Sequence, residues 1–439
     1  MICKHKALFN FWMVIAFLLC SSKAVKTTQS ASAVKNAQIM PDTAKPAGLL
    51  QSIMLQNPQQ FNEILKKYKD LNVQIIYTQV NRGANGMPAL QNHYFNVDAN
   101  KYYYPASTVK LPVVLLALQK LHELQNKQLN ANTTMLTGSA FSGQTEVYND
   151  PTTANGKPTI AQYIKKILMV SDNDAFNRLY EFLGQQYINT QLKKKGYSDA
   201  QIIHRLDIFL TEEENRRTNP ITFYDSTGKS IYIQKEQRSN LKYNVRKDSL
   251  GKAYFSKNEL VNKPMDFSKK NRLNLQDLHN ILISLVFPEK VKATQRFNIT
   301  AEDRQFVLKY MSQYPTESIY PPYSSDSINY WPLYCKFLFY GASKEKPLNN
   351  IRIFNKIGDA YGQMIDAAYF VDYKNKIEFF LSATIYCNSD GIINDDKYDY
   401  DSTGLPFMKN LGQAIYNYEL KRKYKYKPDL SPVLFTYDK

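Results

Sequence analysis

Tyr102-Tyr103-Tyr104-Pro105-Ala106-Ser107-Thr108-Val109-Lys110 leads directly into an apolar run in which Leu111, Val114, Leu115, Leu118 and Leu121 recur at helical spacing. The pattern predicts a helix beginning near Ser107, with Pro112 in its early turns, where proline is tolerated. Three residues of spacing place Ser107 and Lys110 on the same side of the first turn. A serine hydroxyl is a weak nucleophile until something accepts its proton. A lysine amine can do so when burial or neighbouring cations depress its pKa towards neutrality. The helix N-terminus adds backbone N–H groups and partial positive charge for a developing oxyanion. Alone, Ser-x-x-Lys is a frequent accident, a helix cap followed by a surface lysine.

Two more short motifs lie downstream. Ser171-Asp172-Asn173 falls in a turn between two apolar helices, a place where short polar residues commonly cap. Lys356-Ile357-Gly358 ends the apolar stretch Ile351-Arg352-Ile353-Phe354 and is followed by Asp359. A glycine beside a strand permits another backbone to approach closely, and the lysine supplies fixed positive charge.

In this order and these contexts the three motifs resemble the serine β-lactamase and penicillin-binding protein superfamily, whose set is Ser-x-x-Lys, Ser-Asp-Asn and Lys-Thr-Gly. Ile167 to Ala175 is similar to the class A segment around the second motif. Arg217-Thr218-Asn219-Pro220 resembles the step after the omega loop of that class, and Leu275-Gln276-Asp277-Leu278 the helix that follows. The resemblance implies an α/β (α+β) transpeptidase-like fold, an antiparallel five-stranded sheet flanked by helices plus an all-helical subdomain. It implies Ser107 as acylated nucleophile and Lys110 as acceptor of its proton or as holder of the network that accepts it. Ser171 would relay a proton to the leaving nitrogen, Asn173 would contact the substrate amide, and Lys356 would set the potential near Ser171. Gly358 and Asp359 would line the substrate, with the N–H groups of Ser107 and Asp359 as oxyanion hole.

Two departures qualify the match. Ile357 stands where the motif carries threonine, so one hydroxyl for a substrate carboxylate is missing. Class A enzymes also activate the deacylating water with an omega-loop glutamate. With the loop starting at Arg205-Leu206-Asp207, that position falls near Leu210, and Glu212, Glu213 and Glu214 just beyond are the candidates. The implied activity is hydrolysis of β-lactams, a property tied to antibiotic resistance. A D-alanyl-D-alanine carboxypeptidase or other cell-wall amidase, and a weakened binding or scaffold member, are the alternatives.

The remaining sequence is read by periodicity. Residues 61–71, 159–170, 176–183, 276–286, 304–313 and 406–420 carry helical spacing, and 73–77, 94–97, 351–355, 364–372 and 377–386 read as strands. Strands at both ends with helices between predict one sheet built from the two termini against a helical half. Lys4 and Lys6 before the apolar run Ala7 to Cys20, and Ser22-Lys23-Ala24 after it, read as a signal peptide over 1–24. The expected location is periplasmic; lipid modification of Cys20 is disfavoured by bulky Leu19. A linker over 25–48 and a hydrolase domain over 49–430, with an insertion at about 221–272, complete the organisation.

Composition bounds the rest. The chain has 439 residues, 44% hydrophobic, with four Cys and five His. These values exclude disorder as the main state and a scaffold of many disulfides. Beyond the N-terminus no apolar run reaches about eighteen residues, which excludes a polytopic membrane protein. Cys335 and Cys387 either pair or sit as two buried thiols. The formal charge of +17 reads as a lysine-rich solvated surface, and export argues against a nucleic-acid partner. A small-molecule substrate is expected, with no cofactor and no metal. The histidines are scattered, Gly228-Lys229-Ser230 has Phe223 where a phosphate loop needs glycine, and residues 394–401 lack the Gly and closing Glu of an EF-hand.

Overall fold

A computed structural model of the chain describes residues 48–438. The expected signal peptide, and the linker apart from Gly48, lie outside those residues. Two short helices, α1 (Leu49–Leu55) and α2 (Pro58–Lys67), precede strands β1 (Gln74–Arg82) and β2 (Pro88–Phe95). Helices α3 (Lys110–Glu123), α4 (Ile160–Val170), α5 (Asn173–Leu183), α6 (Gln185–Lys194), α7 (Glu212–Arg216), α8 (Leu275–Val286) and α9 (Ala301–Ser312) follow. Strands β3 (Ile351–Ala360), β4 (Gln363–Asp372) and β5 (Ile377–Tyr386) and helix α10 (Leu405–Lys421) come last. The five strands form one antiparallel sheet in the order β3-β4-β5-β1-β2, so the C-terminal β5 pairs with the N-terminal β1.

Both faces of this sheet are covered, which is why β4 is buried along its whole length. Side chains alternate between the faces, as a strand's period of two demands. Phe354, Ile365, Ala367 and Tyr369 join the core shared with α3, α4, α5 and α8. Ile353, Ile357, Ala368 and Phe370 face the other way, towards residues of α1, α2 and α10. Helix α3 runs through the middle of the helical half: Val113 to Leu118 are each at most 1% exposed. A helix apolar on all sides is buried on all sides, and each such aliphatic side chain contributes about 1.5–3 kcal/mol.

Some local expectations shift. Residues Ala106–Val109 form a 3-10 turn, so Ser107 precedes the α-helix proper. Helix α9 starts at Ala301 rather than Arg304, within the stretch Thr300-Ala301-Glu302-Asp303 that reads as its cap in the sequence, and Thr300 and Asp303 form the reciprocal capping box. Helix α6 left no clear stripe in the sequence, since Ile188 and Leu192 stand among Gln, Asn and Lys. The region 221–272 is knitted into the fold. Ile221–Tyr224 pairs with Thr134–Thr137 and with Ser230–Gln234, and Ala253–Ser256 pairs parallel with Ile392–Ile393 after β5. Packing continues past residue 430: Val433 is buried and Asp438 accepts from Lys309 Nζ at 3.0 Å. Cys335 and Cys387 are two separate buried thiols. Among the described residues no helix is long and apolar enough to cross a membrane.

Candidate active site

The turn that carries Ser107 is pinned from within: Thr108 donates to the Pro105 carbonyl through Oγ1 at 2.6 Å and through its N–H at 3.0 Å. Ala106, just before the serine, adopts φ +46°. Left-handed backbone costs a residue with a Cβ about 1–2 kcal/mol, so strain is stored next to Ser107. Lys110 opens α3 and is fully buried. Its Nζ donates to Asn173 Oδ1 at 2.6 Å, to Ser171 Oγ at 3.3 Å and to the Ser171 carbonyl. Burial, and then the neighbouring charge of Lys356, push its pKa well below the usual lysine range.

Ser171-Asp172-Asn173 divides its labour. Helices α4 and α5 pack their apolar stripes into the core with α3, which fixes the turn between them. Ser171 ends α4 in the left-handed region, at φ +60° and ψ +36°. Asp172 caps α5, Oδ1 accepting from the Ala175 N–H at 2.8 Å. The capping role expected of such a triplet thus falls on its middle residue, while the outer two reach the lysine.

On β3, Lys356 and Gly358 face the helical half. Lys356 Nζ donates to Ser171 Oγ at 2.8 Å and to the Ile357 carbonyl at 2.8 Å. Burial lowers its pKa to about 8, against the opposing pull of Cys335, Asp366 and Asp359. Ile357 lies in the opposite core, 5% exposed. Gly358 sits hard against the Ser107 turn: a Cβ there would stand 2.9 Å from Ser107 N and 2.9 Å from the Pro105 carbonyl oxygen. Asp359 follows, opposite Met364 of β4. Direct hydrogen bonds therefore join Lys110, Ser171, Asn173 and Lys356, and backbone contact brings Gly358 to Ser107. Such an arrangement can take a proton from a hydroxyl and hold positive charge before it.

The three glutamates are occupied elsewhere. Glu214 Oε2 accepts from the Thr211 N–H at 2.7 Å in a capping box, and Oε1 accepts from Ser142 at 2.9 Å. Glu213 is clasped by Arg238 at 2.8 Å and Arg217 at 2.9 Å, which hold its pKa down to about 2. Glu212 pairs with Lys269 at 3.0 Å and Arg216 at 3.1 Å. A carboxylate held down by hydrogen bonds is a poor base. Asp207, in left-handed backbone at φ +57°, is an acid bonded to the motif: its Oδ2 accepts from Asn173 Nδ2 at 3.4 Å. Its signal in the sequence was the neighbouring Arg205, which is buried and organises the loop by donating to Glu181 Oε1 at 2.9 Å and to the Glu214 carbonyl at 3.1 Å.

A cavity of about 400 Å³ opens beside Asn173, Asp174, Asp207 and Ile208. A larger one, about 460 Å³, lies between α6 and residues 237–240, lined by Lys194, Arg216 and Arg238, and holds none of these site residues.

The chain is similar in structure to a class A beta-lactamase from Clostridium kluyveri, with 13% identity, a TM-score of 0.43, and coverage of 82% of this chain and 98% of that one. For a beta-lactamase from Xanthomonas campestris the values are 11%, 0.44, 83% and 98%, and for one from Burkholderia phymatum 12%, 0.44, 83% and 98%. No curated protein matches the sequence. A family model described as the beta-lactamase enzyme family matches residues 58–418, most of the chain, and by that match the chain belongs to the beta-lactamase enzyme family.

Proposed function

We propose that the protein is an exported serine hydrolase of the β-lactamase type that works through an acyl-enzyme on Ser107. One observation carries the reading: two buried amines converge on Ser171 Oγ, Lys110 from the start of the helix that follows the Ser107 turn at 3.3 Å and Lys356 from the strand packed against that turn at 2.8 Å. In this reading Lys110 takes the proton of Ser107 as Oγ attacks the lactam carbonyl. The N–H groups of Ser107 and Asp359 receive the oxyanion. The C–N bond breaks, and the nitrogen takes a proton relayed through Ser171. Water then attacks the ester, with Asp207 rather than Glu212, Glu213 or Glu214 as its base, and Ser107 recovers its proton. Asn173 orients the amide and Lys356 faces the substrate's negative charge.

The engagement of all three glutamates favours one second reading, in which deacylation is slow and the protein is a penicillin-binding amidase of cell-wall peptides. Incubation with a chromogenic β-lactam, followed by colour and by intact mass, separates the two. Turnover that disappears in Ser107→Ala supports the lactamase. A lasting adduct on Ser107 without turnover supports the amidase. Neither signal would leave a binding protein and sink the proposal.

A further inference from the structure

Behind Lys356, on the outer face of the sheet, lies a buried polar cluster that the acylation chemistry does not use. Asp366 of β4 stands opposite Ile357 and is fully buried. Asn355 Nδ2 donates to both of its oxygens, at 2.9 and 3.1 Å, and the Leu338 N–H donates to Oδ2 at 3.0 Å. Asn355 Oδ1 in turn accepts from Lys336 Nζ at 2.7 Å. Lys336 also donates to the carbonyls of Met311 and Ile353, each at 2.8 Å, and is 3% exposed. A buried carboxylate and a buried ammonium are thus bridged by one amide. Among the described residues no ion pair joins them directly.

Such a cluster is an expensive way to fill a core. Desolvating two charges that do not touch costs more than apolar side chains of similar volume would, and the neighbours of Asp366 in this layer, Ile357 and Ala368, are apolar. Its place in the fold supplies a reason for it. Asn355 and Ile357 flank Lys356 in sequence, so whatever grips this stretch of β3 from outside aims the Lys356 ammonium inside.

We propose that Asp366 is a positioning residue for the acylation reaction: through Asn355 it clamps β3 from the outer face and so fixes the setting of Lys356 on the inner face. The proposal rests on the role given to Lys356 in the hydrolase reading. The charged and titratable groups facing this pair are Lys336 and Cys335 from the segment before β3, Asp359 on β3, and Lys110 on α3; Arg352 and Glu317 lie further along, towards Lys336. Ala383, the partner of Asp366 on β5, carries no charge. Asp366 is among the groups that hold the Lys356 pKa up, so its removal makes Lys356 lose its proton at lower pH.

The test is a direct titration of the lysine side chains by NMR in protein labelled at lysine Cε, with the Lys356 signal identified by its loss in Lys356→Arg. Asp366→Asn is expected to lower the Lys356 midpoint by about half a unit to one unit, and Asp366→Glu to leave it in place. Should Asp366→Asn not fold, Asp366→Ser, smaller and still an acceptor for the Leu338 N–H, carries the same comparison. A folded neutral variant with an unmoved Lys356 midpoint overturns the proposal. Acylation of Ser107 is followed on the same wild-type sample. If no adduct forms while the midpoint still moves, the hydrolase reading fails and the coupling of Asp366 to Lys356 stands.

Discussion

Gly358 touches the backbone of Ser107: the space a Cβ would need at Gly358 is taken up by Ser107 N at 2.9 Å and Thr108 N at 3.0 Å. The obstruction is main chain in a turn already held by Thr108, so it cannot swing aside as a flexible side chain would. Gly358→Ala is therefore expected to push β3 away from the Ser107 turn. The expected outcome is a loss of about 1–3 kcal/mol in denaturant unfolding together with a fall of at least about tenfold in the acylation rate. Full activity in this variant would mean that the contact between strand and turn does not set the reactive geometry.

The loop acids give a second comparison. Asp207 bonds to Asn173, whereas Glu213 is saturated by Arg217 and Arg238. Asp207→Asn is expected to slow deacylation by about a hundredfold or more, the range of a lost general base, and to let an adduct on Ser107 accumulate in the mass spectrum. Glu213→Gln is expected to leave deacylation within about twofold. The reverse ranking would return the role to the glutamates.

A third expectation concerns pH. Burial brings the Lys356 pKa down to about 8. An amine is charged below its pKa and neutral above it, so the field that Lys356 provides is present at neutral pH and fades as pH rises through about 8. The kcat/KM profile for an anionic β-lactam should fall on its alkaline side near that value. Lys356→Arg, which cannot be deprotonated in this range, should move the limb to higher pH. A limb that stays in place in the arginine variant would assign it to another group.

How much of this was legible depended on range. The helices with strong apolar spacing, α3, α4, α5 and α8, were visible because a buried stripe writes itself into local sequence. Helix α6 was not, since its two buried aliphatics, Ile188 and Leu192, are too few to mark a face. The cap of α9, Thr300 to Asp303, was legible as a capping pattern, and only the point where helical backbone begins, Ala301 rather than Arg304, was not. Asp207 was passed over as well. A count along the chain pointed beyond it to Leu210, but the left-handed backbone at Asp207 turns the loop towards Asn173 sooner.

The sequence by itself determined the kinds of group in play: a serine with a lysine one turn on, a polar triplet between two apolar helices, a lysine and a glycine at the end of a strand. It also determined which segments would bury, because apolar periodicity is a local property of the chain. Only the tertiary structure decided which atoms meet. Lys110 and Lys356 lie far apart in sequence yet share Ser171 Oγ, and Asp366 reaches the back of Lys356's strand through Asn355. The physical reason is that pKa values and hydrogen bonds depend on distance and burial in space, which are set when the sheet closes on the helical half.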